Sequence, residues 1–387
     1  MGTSQSALLT EGYESNIDVY SVINKIITAS KLAPWIVEQR DREGNWSVIE
    51  DTSIHELMSK PNKDKGYTWQ DIDEQLTTYL LATGNSFMTG LELNGKIVEV
   101  DVLPSPSITA TTSQNFFLPN IKYQFDLGTQ SRQYNTEDLE HIRLFNPGYS
   151  SVEDSVLGLS PIQVAARAVQ VGNDRWDADA NLLQNRGAIG LITDKSNRPM
   201  RDPESQRLQE AFELDTVGAN NFGKIKVTNK DLNFIQMAMS STDLQILEKG
   251  PSILRAICNV FGLDSSLLND PANKTFNNRS EATKDLYTGA VIPLSNKKAA
   301  KHTQYIAKSH FPDGSVRMRQ DFSEVEALQK DKKTEAEKDL IVINGVREVV
   351  NMPISAEAKE SLLQSTYDIS EEQSKLIAST IDIRING

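Results

Sequence analysis

The stretch from residue 158 to residue 183, GLSPIQVAARAVQVGNDRWDADANLL, decides how this chain is read. Leu159, Ile162, Ala166, Val169, Asn173, Trp176, Ala180 and Leu183 recur in it at alternating steps of three and four, as one face of a long helix does. Ser160 stands where a side chain can cap that helix. Pro161 falls in its first turn, where the missing N–H does no harm. The pattern closes near Gly187. From Pro161 to Arg186 the helix would measure about 40 Å at about 1.5 Å per residue, more than a compact domain needs. Such a helix spans or lines something.

Around it lies an ordinary folded composition. The chain has 387 residues, 38% hydrophobic and 24% charged, enough for two or three modules. No apolar run reaches the length of a membrane span, and Met1-Gly2-Thr3-Ser4-Gln5 lacks the charged and apolar regions of a signal peptide. The sequence therefore predicts a protein made and kept in a cytoplasm, away from membranes. The single cysteine, Cys258, lies among Ile253, Leu254, Ile257 and Val260 and reads as core packing. A net charge of −13 argues against tight, chain-wide affinity for nucleic acid. It is compatible with a conduit, because DNA slides past an acidic or neutral wall better than past a basic one.

Before the long helix the chain reads as α+β. A helix carries Ile17, Tyr20, Val22, Ile23, Ile26 and Ile27, a strand holds Trp35-Ile36-Val37, and a turn at Glu43-Gly44-Asn45 returns it through Trp46–Ile49. A short helix near His55–Met58 and a Pro61-Asn62 turn precede a helix from Thr68 to Thr83 that stops at Gly84-Asn85. Strands are expected at Phe87-Met88, Ile97–Val100, Lys122–Phe125 and His141–Phe145. After the long helix, Ile189–Thr193, Pro203–Leu214, Lys224–Val227 and Leu232–Gln236 read as strand, helix, strand, strand. A second helical stretch starts at Thr242 and is interrupted at Gly250-Pro251. Polar residues 264–278 follow, then a third helix from Arg279 to Lys308 with a kink expected at Pro293, and a strand with charged helices from Val316 onward.

Familiar chemistry is missing. Gly158-Leu159-Ser160-Pro161-Ile162 is half of a nucleophile elbow, and Ile162 replaces its second glycine. His55-Glu56 opens a zinc motif that Ser59 closes with the wrong residue, and His55, His141, His302 and His310 show no ligand spacing. Packing or surface roles are their expected lot. No phosphate-cradling glycine motif occurs, so neither a nucleotide cofactor nor any other is expected, and no catalytic residue is assigned. Asp174, Asp177 and Asp179 could hold a cation, which leaves open a metal-dependent intracellular enzyme; charge opposite an apolar stripe reads first as a solvated face. The run at 330–333 reads the same way. Lys297, Lys298, Lys301 and Lys308 form the best basic patch, solvated or touching phosphate.

Several segments, in this order, resemble the portal proteins of tailed bacteriophages, in particular the family typified by HK97-like phages. These are Ser53–Leu57 with Lys60-Pro61-Asn62, then Gly84-Asn85-Ser86-Phe87, then Gly158-Leu159-Ser160-Pro161-Ile162. Asp243–Glu248 with Ala256-Ile257, Phe261-Gly262-Leu263 and Leu267-Leu268 follow, and then Asn278–Glu281 with Pro293. Two segments depart from the family pattern: Gly250-Pro251 interrupts a helix that relatives keep continuous, and Gly345 to Met352 matches only loosely.

The resemblance implies an α+β portal fold that assembles into a closed ring, with twelve subunits the usual number. Residues 1–157 would be its wing, 158–186 the first stem helix, 187–236 a small α/β clip and 237–263 the second stem helix. Residues 264–278 would be the tunnel loop, 279–315 the kinked channel helix and more wing, and 316–387 the wing return and helical crown. It implies that Leu159, Ile162, Val169, Asn173, Trp176 and Leu183 pack the stem against neighbours, with Asn173 setting register. Asn269, Asp270, Asn273, Lys274, Asn277 and Asn278 would line the DNA channel, a wet contact without aromatics to arrest bases. Lys297, Lys298 and Lys301 would touch phosphate. The implied partners are further copies of the chain, the large terminase subunit, a head-tail adaptor, the major capsid or scaffolding protein, and double-stranded DNA held transiently. The implied place is the portal vertex of a virion, with assembly in the host cytoplasm. After the metal-dependent enzyme, a third and lesser alternative is another ring or adaptor component of a phage-like particle, such as a gene-transfer agent or a degenerate prophage.

Overall fold

In a computed structural model the described residues are 1–50, 52–112, 120–148, 155–184, 190–194, 202–203, 206–207, 210, 232–236, 250–268, 270, 276–352 and 355–367. They divide into a unit from Met1 to Asp321 and a second from Phe322 onward.

The first unit opens with a turn at Gln5–Ala7 and a π-helical segment, Leu8–Glu14, before helix α1 (Ile17–Ser30). Asn16 caps α1, its Oδ1 accepting from Val19 N at 3.0 Å. Strands β1 (Trp35–Arg40) and β2 (Trp46–Ile49) form the expected hairpin. Helix α2 (Ser53–Ser59) leads to α3 (Trp69–Thr83), which Thr68 and Asp71 start with a reciprocal capping box. Gly84 ends α3 in the left-handed region at φ 78°, a conformation only glycine enters freely. Strands β3 (Asn85–Leu93) and β4 (Lys96–Leu103) turn at Asn94-Gly95, both with positive φ. Then come β5 (Ile108–Thr111), β6 (Lys122–Leu127), β7 (Gln130–Asn135) and β8 (Leu139–Arg143). Neither β5 nor β7 is expected from the sequence, where polar residues hide the alternation.

The long helix is interrupted. A first turn, Pro161–Val164, is capped by Ser160, and α4 (Ala166–Gln184) follows after Ala165, whose ψ of 1° lies outside helical values. The rod after this turn is described as far as Gln184, and hydrogen bonds from Ala165 N to Pro161 O and from Val169 N to Ala165 O link the two parts. Residues 185–189 lie outside the described set. Strands β9 (Gly190–Asp194) and β10 (Leu232–Gln236) pair antiparallel at the ends expected for the inserted module. Most of that module, and the helix expected from Thr242, lie outside the described residues.

Helix α5 (Gly250–Phe261) carries Pro251, and the residues before Gly250 lie outside the described set. After a 3-10 turn at Ser265–Leu268, α6 (Phe276–Asp285) runs through a π segment (Leu286–Val291) into α7 (Ile292–His302). A second π segment, Thr303–Ala307, and a last turn, Lys308–His310, complete it. The irregularity expected at Pro293 is thus a π segment just ahead of the proline, one way a helix absorbs a missing N–H. Strand β11 (Val316–Gln320) closes the unit by pairing with β1, so that β1 lies between β11 and β2.

Two further sheets have the orders β4-β3-β8 and β5-β6-β7. Successive residues of β3 face opposite sides and so join two cores. Met88 packs with Val37, Ile54, Trp69, Ile72 and Met318, and Phe87 packs with Leu103, Ile108, Tyr123 and Phe125. Cys258 is fully buried beside Ile257, in the packing role its neighbours predict.

In the second unit, α8 (Glu326–Asn351) and α9 (Ala356–Tyr367) pack together, with Val349 and Leu363 buried. The side chains of residues 330–333 lie outside the described set. Among the described residues no helix is long and apolar enough to cross a membrane.

Candidate functional site

Three helices leave the sheets of the first unit, and each is tied down by a different device. The first joins two glycine motifs 73 residues apart in sequence. Asn85 Oδ1 accepts from Gly158 N at 2.6 Å and faces His141 Nε2 at 3.0 Å. Its Nδ2 donates to Thr83 O at 3.1 Å and to Gly158 O at 3.2 Å. The Asn85 carboxamide is thereby satisfied on every side, as a buried amide must be. With the Asn85 oxygen opposite, His141 Nε2 carries the proton and Nδ1 accepts from Tyr123 Oη at 3.0 Å. Burial holds the His141 pKa down at about 3 and pushes Tyr123 up to about 12. Ser160 completes the tie, donating to Ala82 O at 2.6 Å while its Oγ caps Gln163 N.

Both glycines are required by close backbone approach. A Cβ on Gly158 would fall 2.2 Å from Gly84 O, and one on Gly84 would fall 2.5 Å from the Leu159 carbonyl carbon. Below this junction Ile162 and Val169 are fully buried within the chain. Asn16 Nδ2 reaches Val169 O at 3.3 Å and Asn173 Oδ1 at 2.8 Å, and Asn173 Nδ2 reaches Glu11 O at 3.1 Å. Asn173 thus ties α4 to the cap of α1 and to the Glu11 carbonyl.

The second device holds α5 to the residues after it. Asp270 is buried and accepts from Arg255 Nε at 2.6 Å, Arg255 Nη2 at 3.0 Å and Ser265 Oγ at 2.8 Å, a two-toothed guanidinium clamp. Gly250 gives Arg175 of α4 room, since a Cβ there would fall 2.1 Å from Nη1. The third device is a buried ion pair. Lys298 of α7 is fully buried, its Nζ 2.6 Å from Asp73 Oδ1 and 2.9 Å from Thr77 Oγ1, both on α3. One helical turn on, His302 packs edge-on between Trp35 and Trp69 with Nδ1 3.0 Å from Glu140 Oε2.

The sequence matches the family described as phage portal protein over residues 17–350. The chain belongs to the phage portal protein family. A probable portal protein of Streptomyces phage phiC31 is 23% identical over 227 residues, 57% of this chain and 48% of that protein. Among solved structures, the neck of a native gene-transfer-agent particle computed with C12 symmetry aligns with a TM-score of 0.61 at 22% identity, over 93% of this chain and 92% of that one. An HK97-family phage portal protein from Corynebacterium diphtheriae aligns at 0.55 and 12% identity, over 83% and 96%. This portal chain shares their fold of mixed helix and sheet.

The residues expected to line a portal channel scatter. Asp270 is a buried clamp and not a wall residue. Asn277 and Asn278 lie in helix α6 instead of a loop, their side chains outside the described set, as are Asn269, Asn273 and Lys274 entirely. Lys298 is sealed in its ion pair and unavailable to phosphate. Lys297 is exposed and donates to Arg143 O at 3.2 Å, whereas Lys301 is half-buried beside β8. Of the stem stripe, Leu159 is half-buried, Trp176 is 49% exposed, and the Leu183 side chain lies outside the described set.

Among the described residues no group of His, Cys, Asp and Glu could hold a metal ion. Asp174 accepts from Gln170 Nε2 at 2.8 Å and Asp177 faces solvent, while the Asp179 side chain is not described. His141, His302 and His310 all pack in the interior, and His55 caps α2 through Thr52. Sequence reading passed over Asp73 and Glu140. Their signal was the stripe Val291, Ser295, Lys298, His302, Ile306, which is buried throughout and requires an acidic partner for its lysine.

Proposed function

We propose that the chain is a portal subunit whose copies, twelve by analogy with the C12 neck it resembles, close into a ring at one vertex of a phage or gene-transfer-agent particle. Double-stranded DNA passes through that ring. The observation that carries this reading is the Gly84-Asn85 junction with Gly158–Ser160, which seats a long helix on a folded sheet unit by backbone contact. The same two motifs carry the sequence resemblance, and their meeting gives both a structural reason.

In this reading residues 1–157 form the wing, 158–186 and 237–263 the stem, 187–236 the clip and 316–387 the wing return and crown. The tunnel loop contracts to the segment between Asp270 and Phe276, which contains Asn273 and Lys274. Repeated around the ring, Asn273 and Lys274 would present polar groups to DNA of any sequence. The chain supplies no catalysis. Chemical work belongs to a terminase that docks on the clip, which a head-tail adaptor later replaces, while the wing meets capsid or scaffolding protein.

Negative-stain imaging and native mass spectrometry of the purified chain test the assembly. Closed rings are expected; a monomer at every concentration and salt sinks the reading. Deletion of residues 271–275, sparing Asp270, tests the loop: rings form and packaged-genome yield falls, and an unchanged yield removes the loop's assignment.

A further inference from the structure

We propose that Trp35, Trp69 and His302 hold one buried water molecule between them, and that this water is a structural ligand joining β1, α3 and α7. The inference stands apart from ring assembly and does not depend on it. The three rings pack edge to face in a closed triangle. Trp35 lies 4.9 Å from His302, Trp69 lies 5.5 Å from it, and the two indoles are 6.3 Å apart, all between ring centroids. Each ring carries a buried nitrogen without a protein partner: Nε1 of Trp35, Nε1 of Trp69 and Nε2 of His302. No hydrogen bond joins any two of them. A folded interior leaves few such atoms, and three in one contact cluster call for a common partner.

The nitrogens decide what that partner is. An indole N–H can only donate. His302 Nδ1 lies 3.0 Å from Glu140 Oε2 on β8, so in the neutral imidazole Nδ1 carries the proton and Nε2 keeps its lone pair. The two nitrogens sit on opposite edges of the ring, which turns the Nε2 edge away from β8. The ligand must therefore accept two hydrogen bonds and donate one. A metal cation accepts none, and an anion such as chloride donates none. Water does both, and about three bonds is what a buried water ordinarily makes. Three separate waters would each rest on a single protein bond. The rival arrangement, an indole N–H aimed at a neighbouring ring face, is one that edge-on packing permits, but it leaves Nε2 without a donor.

The site belongs to the root of the channel helix. Lys298, one turn before His302, has its Nζ 5.8 Å from the Trp35 ring centroid and 2.6 Å from Asp73 Oδ1, one turn after Trp69 on α3. Water and ion pair thus join α3 to α7 at successive turns.

An experimental structure of the full chain, fine enough to show ordered water, tests the proposal without any variant. One water is expected about 3 Å from all three nitrogens. No water there, or separate waters on separate rings, overturns the proposal. Ultraviolet resonance Raman reads the same contact in solution, because the indole N–H vibration reports hydrogen bonding. Difference spectra of the parent against Trp35→Phe and against Trp69→Phe isolate the two indoles, and both are expected in the hydrogen-bonded position. Either one in the position of a free or ring-facing N–H overturns the proposal. His302→Leu with Glu140→Leu removes the acceptor together with the carboxylate it serves. Both indole bands should then shift toward the free position; unchanged bands in the folded double variant mean separate partners and overturn the sharing.

Discussion

The roots of the three helices and the outward face of α4 are built to opposite standards. At the roots the contacts are internal: the Asn85 amide is saturated, Asp270 is clamped, and Lys298 is sealed with Asp73. Along the first turn and α4, Val164, Val171 and Trp176 stand 61%, 42% and 49% exposed. Val164 and Val171 share a side of this run and Trp176 stands about 140° round from Val171 at 3.6 residues per turn, so a single copy leaves apolar side chains uncovered on two sides of the helix. Isolated apolar residues on a surface need no explanation, but three on one short helical run, beside a base held by internal contacts, are what a subunit awaiting neighbours would carry. The difference yields a rule for mutations: root changes unfold the subunit, and face changes leave it folded and unassembled.

The largest effect belongs to Gly158→Ala. Its new methyl group has backbone on two sides, Gly84 O at 2.2 Å and Leu144 N and O at 2.8 Å, and backbone cannot swing aside as a flexible side chain can. A loss of about 4 kcal/mol or more is expected, read as an insoluble chain or a collapsed urea midpoint. A near-normal midpoint would mean that the root has slack, and the contrast with α4 would weaken.

Next comes Lys298→Met, which leaves Asp73 buried without its cation and should cost about 3–5 kcal/mol in urea denaturation. Lys298→Met with Asp73→Leu removes both charges and should recover most of that loss. If the double variant stays as weak as the single one, packing rather than charge governs this root.

How much of this was legible in the sequence depends on the range of the force involved. Local signals read correctly: the Ser160 cap and the Gly84 stop each depend on a few neighbouring residues. Long-range pairings did not show. Nothing near Trp35 announces Gln320 as its cross-strand partner. Asn273 and Lys274 looked like channel residues by being polar, and Asp270 in the same run proved structural because Arg255 sits one turn inside α5. The lysine cluster was misread by counting charges without phase: Lys298 lies on the buried stripe of its helix, and Lys297 and Lys301 lie off it. The break at Ala165 has no sequence signal that we can identify.

A smaller effect comes from pH. His141 titrates at about 3 when folded, against about 6.5 in an unfolded chain. Its folded pKa is depressed, so the unfolded chain takes the proton first. The stability this confers is whole above pH 6.5 and is lost as pH falls toward 3, at up to about 1.4 kcal/mol per pH unit. Between pH 6.5 and 5, above the ordinary carboxylate range, melting temperature should fall in the parent chain and much less in His141→Gln. Parallel pH curves would remove the buried imidazole from the account.

The smallest expected change in stability is the most informative about assembly. Val171→Ser with Trp176→Ser alters side chains that are about half exposed, and surface substitutions of this kind stay within about 0.5 kcal/mol. Measured in dilute, monomeric solution, the double variant should denature like the parent. If the parent closes into the proposed ring, the variant should fall behind at the concentrations where it does so, because a closed ring repeats one heterologous contact at every subunit and multiplies any weakness in it. Sedimentation of both proteins over a range of concentrations reads the effect. A variant that closes as readily as its parent would place the subunit contact elsewhere and leave this face to another partner. A variant that unfolds would show that these side chains belong to the interior of the subunit, and the contrast between root and face would be wrong at its simplest point.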